Sequence, residues 1–400
     1  MADKAPEGAP TATASARLKL QTNLGRAVMW SKGFGSEETQ TAYARARELA
    51  AKVDDPAERF ATYYGQWANT SMRSGFTAAQ DIPHIFLDEA VSSALAPEIA
   101  TAHRMIGLTL HSEGDFVNAK RHLDEALRVY DLQWGHDDRF RLGLEPGLTA
   151  MAYLASTEWL LGNATRARNL IEDAVARSID AGHVPTLGGS YLFAAQLEVL
   201  RGDPIAAVKI ARTATDYARE NDLGLHRGFA KIYLGWARAM LGEHETGTTE
   251  LKQGLAAHKE AGYKAWTTLF AGLLAQVEAE GNQHSEALSR IAETLTLANE
   301  ISEHWVDSFL QRIRGEILLK GDPANTAAAE EAFIAAIAIA RQQKAKSFEL
   351  HAALSLAKLY QSTGRHAEAR TVLAPALKGF SPTPEMPEIA EATALMDRLE

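Results

Sequence analysis

Thirteen histidines, fifty-one carboxylates and no cysteine bound the chemistry open to this 400-residue chain. The missing Cys excludes disulfides, thiolate metal sites and a Cys nucleophile, and it suits a reducing cytoplasm. A histidine metal site needs ligands on one helix face, yet neither HExxH nor H-x3-H occurs. His103 and His111 lie two helical turns apart, too far to share one ion, and His122 belongs to the next helix. Carboxylates cluster as DEA (124–126), EDA (172–174) and AEEAF (329–333), but these runs recur at equivalent positions of a longer period. Charge that repeats with the structure reads as a solvated outer face, whereas an active site should break the period. Ser156 and Ser190 have no base beside them in sequence, and no GxxxxGK[ST] phosphate loop exists. GDP at 202–204 and 321–323 reads as turn chemistry, with Gly ending one helix and Pro opening the next. The expectation is no catalytic residue, no metal, no cofactor and no enzyme activity.

The elements that carry these residues are marked by small side chains. Residues 356–377 read LAKLYQSTGRHAEARTVLAPAL, and 106–127 read IGLTLHSEGDFVNAKRHLDEAL. Similar stretches occupy 154–175, 194–215 and 234–255. The turn glycines Gly114, Gly162, Gly202, Gly242 and Gly281 fall 48, 40, 40 and 39 residues apart, and Gly364 follows two repeats later. Apolar residues at three-and-four spacing on both sides of each Gly predict two amphipathic helices, with the Gly in the left-handed conformation that ends the first. Gly107, Ala119 and Ala126 let helix backbones approach, while Ile106, Leu110 and Leu123 fill the space between. One hairpin cannot cover its own apolar face, so the hairpins must stack. Degenerate copies at 24–50 and 64–90 and a longer-turned copy at 305–343 bring the count to nine, and Pro83 is expected to break or kink its helix. A final helix over about 385–399 should cap the stack.

This pattern resembles the tetratricopeptide repeat, whose small positions are matched by Gly107, Gly114, Ala119 and Ala126, and by Ala357, Gly364, Ala369 and Ala376. The step exceeds that repeat's usual length of about 34 residues. The fold class expected is all-α: a right-handed α-solenoid (superhelix) of about nine tetratricopeptide-like hairpins with a C-terminal capping helix. Residues 1–17, small, polar and Pro-containing, read as a disordered lead, and 18–400 as the solenoid. A formal net charge of −10 argues against general nucleic-acid or anionic-membrane binding, and no apolar run reaches the length of a membrane span.

LKLQTNLGRAVMWSKGF, GLTAMAYLASTEWLLGN and AIAIARQQKAKSFELHAALSLAKLYQSTGRHAEARTVLAPAL, in that order, are similar to blocks of the C-terminal repeat region of bacterial multidomain regulators. In those proteins a class III adenylate/guanylate cyclase or DNA-binding domain precedes a signal-transduction ATPase and the repeats. The resemblance spans roughly 18–397 and implies a regulatory binding module in signalling. In such solenoids the first helix of each hairpin lines the concave face, which places Gln66, Arg104, His111, Trp159, Gln196, Trp236, Arg312 and Glu316 near it. The competing reading packs Trp159 and Trp236 between repeats. The connector 131–147, with Trp134 and His136, reads either as a polar flap at the groove mouth or as a solvated linker. Two functions follow: recognition of a protein or peptide partner in the groove, or sensing of a small-molecule effector. A closed apolar pocket near Trp159 and Trp236 with a few polar groups would mark the second, and a wide, open, charged groove the first.

Overall fold

The computed structural model describes residues 11–53, 56–130 and 145–399. They form nineteen α-helices and no strand. The helices pair as hairpins: α1 (Thr11–Lys32) with α2 (Glu37–Ala50), α3 (Pro56–Ser74) with α4 (Asp81–Ser92), and α5 (Ala96–Glu113) with α6 (Phe116–Val129). Next come α7 (Pro146–Leu160) with α8 (Ala164–Ala181), α9 (Val184–Leu200) with α10 (Pro204–Glu220), and α11 (Gly224–Met240) with α12 (His244–Glu260). The last three are α13 (Thr267–Glu280) with α14 (His284–Ile301), α15 (Asp307–Gly321) with α16 (Thr326–Gln343), and α17 (Lys346–Ser362) with α18 (His366–Leu377). A cap, α19 (Glu388–Arg398), buries Ile389, Ala392 and Leu395. The expected nine hairpins and closing helix are therefore present.

The two helices of a hairpin are not equivalent. Every residue of α7 is buried, whereas α8 buries only Ala164, Ala167, Ile171, Ala174 and Ser178, at three-and-four spacing. First helices form the inner layer and second helices the outer one, with their polar faces in solvent. Within a hairpin the backbones come very close: a Cβ on Gly235 would lie 2.5 Å from the carbonyl oxygen of Gly247.

Four expectations need correction. Gly281 keeps a negative φ of −82°, and its neighbour Asn282 takes the left-handed turn instead, at φ +60°; Asn is among the few non-Gly residues that visit that region readily. Pro83 does not break a helix. It lies in the first turn of α4, where a missing N–H costs nothing, after a short 3-10 turn at Thr77–Ala79. Pro323 opens no helix either, because α16 starts at Thr326. Helix α1 begins at Thr11, inside the stretch read as an irregular lead, while residues 1–10 lie outside the described residues. So does the connector from 131 to 144.

The stack also winds back onto itself. The last carbonyl groups of a helix have no partner within it. Here the carbonyl of Met72, near the end of α3, accepts from the N–H of Lys264 (2.7 Å) and Ala265 (3.2 Å), which lead into α13. The carbonyl of Ser112 at the end of α5 accepts from His304 (2.8 Å) and Trp305 (3.1 Å), which lead into α15. At the end of α7 the Trp159 carbonyl accepts from the Ser347 hydroxyl in the first turn of α17, 188 residues away. Each of these three inner helices thus meets, end to start, the inner helix five hairpins further on. Five hairpins complete one superhelical turn, and the second turn sits directly on the first.

This seam leaves no room at Gly75, whose φ is +90° and whose added Cβ would lie 2.2 Å from the Ile301 carbonyl oxygen. Gly202 has a similar φ of +68° but meets nothing within 4 Å. Gly202→Ala should lose about 1–2 kcal/mol of unfolding free energy in urea titration, the strain of a left-handed Ala. Gly75→Ala should lose roughly 1–3 kcal/mol more, from displaced seam backbone. Equal losses would mean the two turns are not in contact at this point.

Candidate functional site

Closing the first turn leaves a partly open cavity among its inner helices. It has a volume of about 130 Å³ and is walled by side chains of α1, α3, α5, α7, α9, α11 and α13 and the segments that follow α1 and precede α13. The wall is mostly aromatic: Tyr64 and Trp67 on α3, Tyr153 on α7, Phe193 on α9, Phe229 and Tyr233 on α11, with Tyr263, Trp266 and Phe270 at the start of α13. The rings pack edge to face, Tyr153 on Phe193 at 4.4 Å and Phe229 on Trp266 at 5.8 Å between centroids. That geometry suits the ring quadrupoles and holds the wall rigid. Trp30, Leu225 and Phe229 also line a second, more polar space of about 450 Å³ bordered by Lys32, Asp222 and His258, so these three residues stand between the two.

One side of the wall is the seam itself. The Tyr263 hydroxyl accepts the Phe34 N–H at 2.9 Å, and burial pushes the Tyr263 phenol well above its usual pKa. Trp266 takes a left-handed backbone at φ +63°. The buried Glu303 carboxylate holds it there, accepting from the Trp266 N–H at 2.8 Å, the Thr268 hydroxyl at 2.6 Å and the Trp305 indole N–H at 3.2 Å. Despite those three donors, burial pushes the Glu303 carboxyl up to about 7.

Polar groups on the wall are few. Gln196 accepts from the Tyr233 hydroxyl at 3.1 Å, and its amide NH2 donates to no described residue. His226 is held neutral, burial lowering its pKa to about 4. Arg104 projects from α5 with only 2% of its surface exposed, its guanidinium 5.5 Å from the Tyr64 ring centre and 5.9 Å from that of Trp67. No Asp or Glu among the described residues lines the cavity.

Of the eight residues projected onto the concave face, Arg104 and Gln196 line this cavity. Gln66, half-buried on α3, does not. His111 lies beyond it, buried between Phe116 and Trp305. The Thr157 hydroxyl beside it already donates to the Tyr153 carbonyl, so His111 Nδ1 donates to Thr157 at 2.9 Å, and burial lowers its pKa to about 3. Trp159, 1% exposed, packs edge-on against Phe348 and His351 of α17, across the seam. Trp236 is buried between hairpins and donates to Gln276 at 2.8 Å. Arg312 and Glu316 pair with each other at 2.5 Å in the second turn. The aromatic wall was not anticipated. Its only sequence signal is aromatic residues on inner-helix faces, such as Tyr64 and Trp67 three apart. His103 and His122 do meet, with Nδ1 atoms 3.0 Å apart, but no group of three or more metal-ligating side chains occurs among the described residues.

No protein-family model matches the chain, and no curated protein does. Solved structures do share its architecture. The fold is that of a tetratricopeptide-repeat solenoid. A Rap protein complexed with competence and sporulation factor superposes with a TM-score of 0.62 at 11% identity, over 98% of this chain and 100% of that one. The Rap conjugation gene regulator of plasmid pLS20, in complex with the Phr* peptide, gives 0.54 at 10% identity over 96% of each chain. The APC/C hetero-tetramer Cut9–Hcn1 gives 0.54 at 13% identity, over 98% of this chain and 65% of that one. At these identities the likeness is one of fold. No helix among the described residues is long and apolar enough to cross a membrane.

Glu303 yields a pH test. Its carboxyl titrates near 4.5 when unfolded and at about 7 when folded. Its contribution to stability is therefore full below pH 4.5 and lost as pH rises through 7. The stability of Glu303→Gln relative to wild type should climb by on the order of 3 kcal/mol between pH 4.5 and 8. Any pH-independent cost of the amide cancels in that difference, and a flat difference in thermal denaturation would remove Glu303 as a buried acid.

Proposed function

We propose that the chain is a non-catalytic sensor module that takes a small ligand, or the end of a short peptide, into the aromatic cavity of its first superhelical turn. The observation that carries this reading is the cavity: partly open, walled by inner helices, mostly aromatic, with a few unspent polar groups. Its volume of about 130 Å³ is close to that of an engineered apolar cavity of about 150 Å³ that binds benzene. An α-helix, about 10 Å across, does not fit. A small effector is therefore favoured over a protein partner lying along an open groove. A short peptide is the second reading, supported by the two Rap structures, which share this fold over nearly the full chain and hold a competence and sporulation factor and a Phr* peptide.

The similarity to the repeat region of bacterial cyclase- and ATPase-bearing regulators supports a role in cytoplasmic signalling, with occupancy of the cavity passed to a partner or an attached domain. The link is physical, because Met72, Tyr263 and Trp266 belong both to the cavity wall and to the seam between turns. A ligand that braces the wall also braces the contact between turns.

Gly189 offers a test that spares the fold. It lines the cavity on α9, and a Cβ there meets nothing within 4 Å. Gly189→Leu should keep or raise the melting temperature, since replacing Gly inside a helix favours folding by roughly 0.5–1 kcal/mol. The same variant should lose the quenching of tryptophan fluorescence that indole analogues or substituted benzenes cause in wild type. Undiminished binding to Gly189→Leu would place the ligand elsewhere.

A further inference from the structure

The cavity's polar groups share one character. Arg104 is almost wholly buried and makes no ion pair or hydrogen bond with any described residue; its Nε is fully sequestered and unpaired. The Gln196 amide NH2 and the Tyr64 hydroxyl also lack partners among the described residues, while the Gln196 oxygen is already taken by Tyr233. The wall thus presents unspent donors and one permanent positive charge, and no carboxylate among the described residues lines it to answer that charge. Burying an unpaired cation is costly, and the faces of Tyr64 and Trp67 offset only part of the cost. A guanidinium held this way, against the faces of two adjacent rings and on the wall of an apolar space, has the donor geometry for a carboxylate.

From these groups we infer that the cavity selects a carboxylate borne on an aromatic or apolar body, with the carboxylate on Arg104 and the body among Phe193, Phe229 and Trp266. The inference rests on the cavity being the ligand site. Two sources supply this chemistry, a free arylalkyl acid or the C-terminal carboxylate of a short peptide ending in an aromatic residue. Cations are excluded by the same charge. Removing the charge should also relieve the unliganded protein, so Arg104→Gln is expected to fold with an equal or higher melting temperature.

The test is titration calorimetry with phenylacetate, phenylacetamide and phenethylamine, and with acetyl-glycyl-phenylalanine and its amide, against wild type, Arg104→Gln and Arg104→Lys. Wild type should bind at least one acid about tenfold or more tightly than the matching amide, the usual weight of a charge-assisted hydrogen bond. It should bind phenethylamine weakest of all. Arg104→Gln should bring acid and amide level, and Arg104→Lys should restore part of the margin. A preference shown only by the peptide pair assigns the carboxylate to a chain terminus; one shown by phenylacetate assigns it to a free acid. Equal binding of acid and amide by wild type, or a margin that survives in Arg104→Gln, overturns the inference while leaving the cavity as a site for neutral rings. If none of the five compounds binds, and neutral indole does not either, the sensor reading falls with it.

Discussion

The structure depends on one recurring contact, the carbonyl end of an inner helix meeting the amide end of another five hairpins on. At Met72, Ser112 and Trp159 the carbonyls left over by a helix C-terminus find donors in the approach to, or the first turn of, the next turn's helix. Helix dipoles meet there head to tail, which favours the arrangement beyond the hydrogen bonds themselves. A solenoid whose units touch only their neighbours is a one-dimensional stack that can flex open. This chain adds contacts between turns, among them the Arg168 and Arg201 side chains on Glu385 (2.9 and 3.1 Å) just before the capping helix. Flexing must then break the seam, and the inner surface becomes a lumen instead of a groove.

Enclosure changes the chemistry available to the same side chains. On an open concave face Arg104 would be one hydrated cation among many, worth little in recognition. Inside the ring of α3 to α13 it loses its water and meets no carboxylate among the described residues, so in the role we propose its charge selects what enters. Glu303 shows the converse. It is equally buried but saturated with donors, and it serves to hold Trp266 in a strained turn on the cavity wall. One buried carboxyl is committed to structure, while the buried guanidinium makes no ion pair or hydrogen bond with any described residue.

The hairpins were legible in the sequence because each is a local event: glycine where a helix must end, alanine where two backbones must approach, apolar residues at helical spacing between. Where reading failed it failed locally too, as at Asn282, which does the work expected of Gly281, and at Pro83, which starts a helix instead of breaking one. Arg104 and Gln196 were placed on the inner surface by the same periodicity. The seam and the cavity left no such trace. They arise from the small rotation between successive hairpins, summed over five of them, and no motif records that sum. Phe34 and Tyr263 meet across 229 residues, and only the completed turn reveals that Trp30 and Trp266 face one space. His111, Trp159 and Trp236 look like groove residues to a projection that stops at one hairpin, but the structure packs all three against neighbouring hairpins or the next turn.

Amide hydrogen exchange resolved along the chain tests the turn-on-turn contact most directly. The amides of Lys264, Ala265, His304 and Trp305 lie outside any helix, and their partners are the Met72 and Ser112 carbonyls. They should exchange as slowly as the interior amides of α7, opening only when the whole protein unfolds. Exchange of these four amides within seconds, as in a solvated loop, while α7 stays protected, would show the two turns apart and the lumen open.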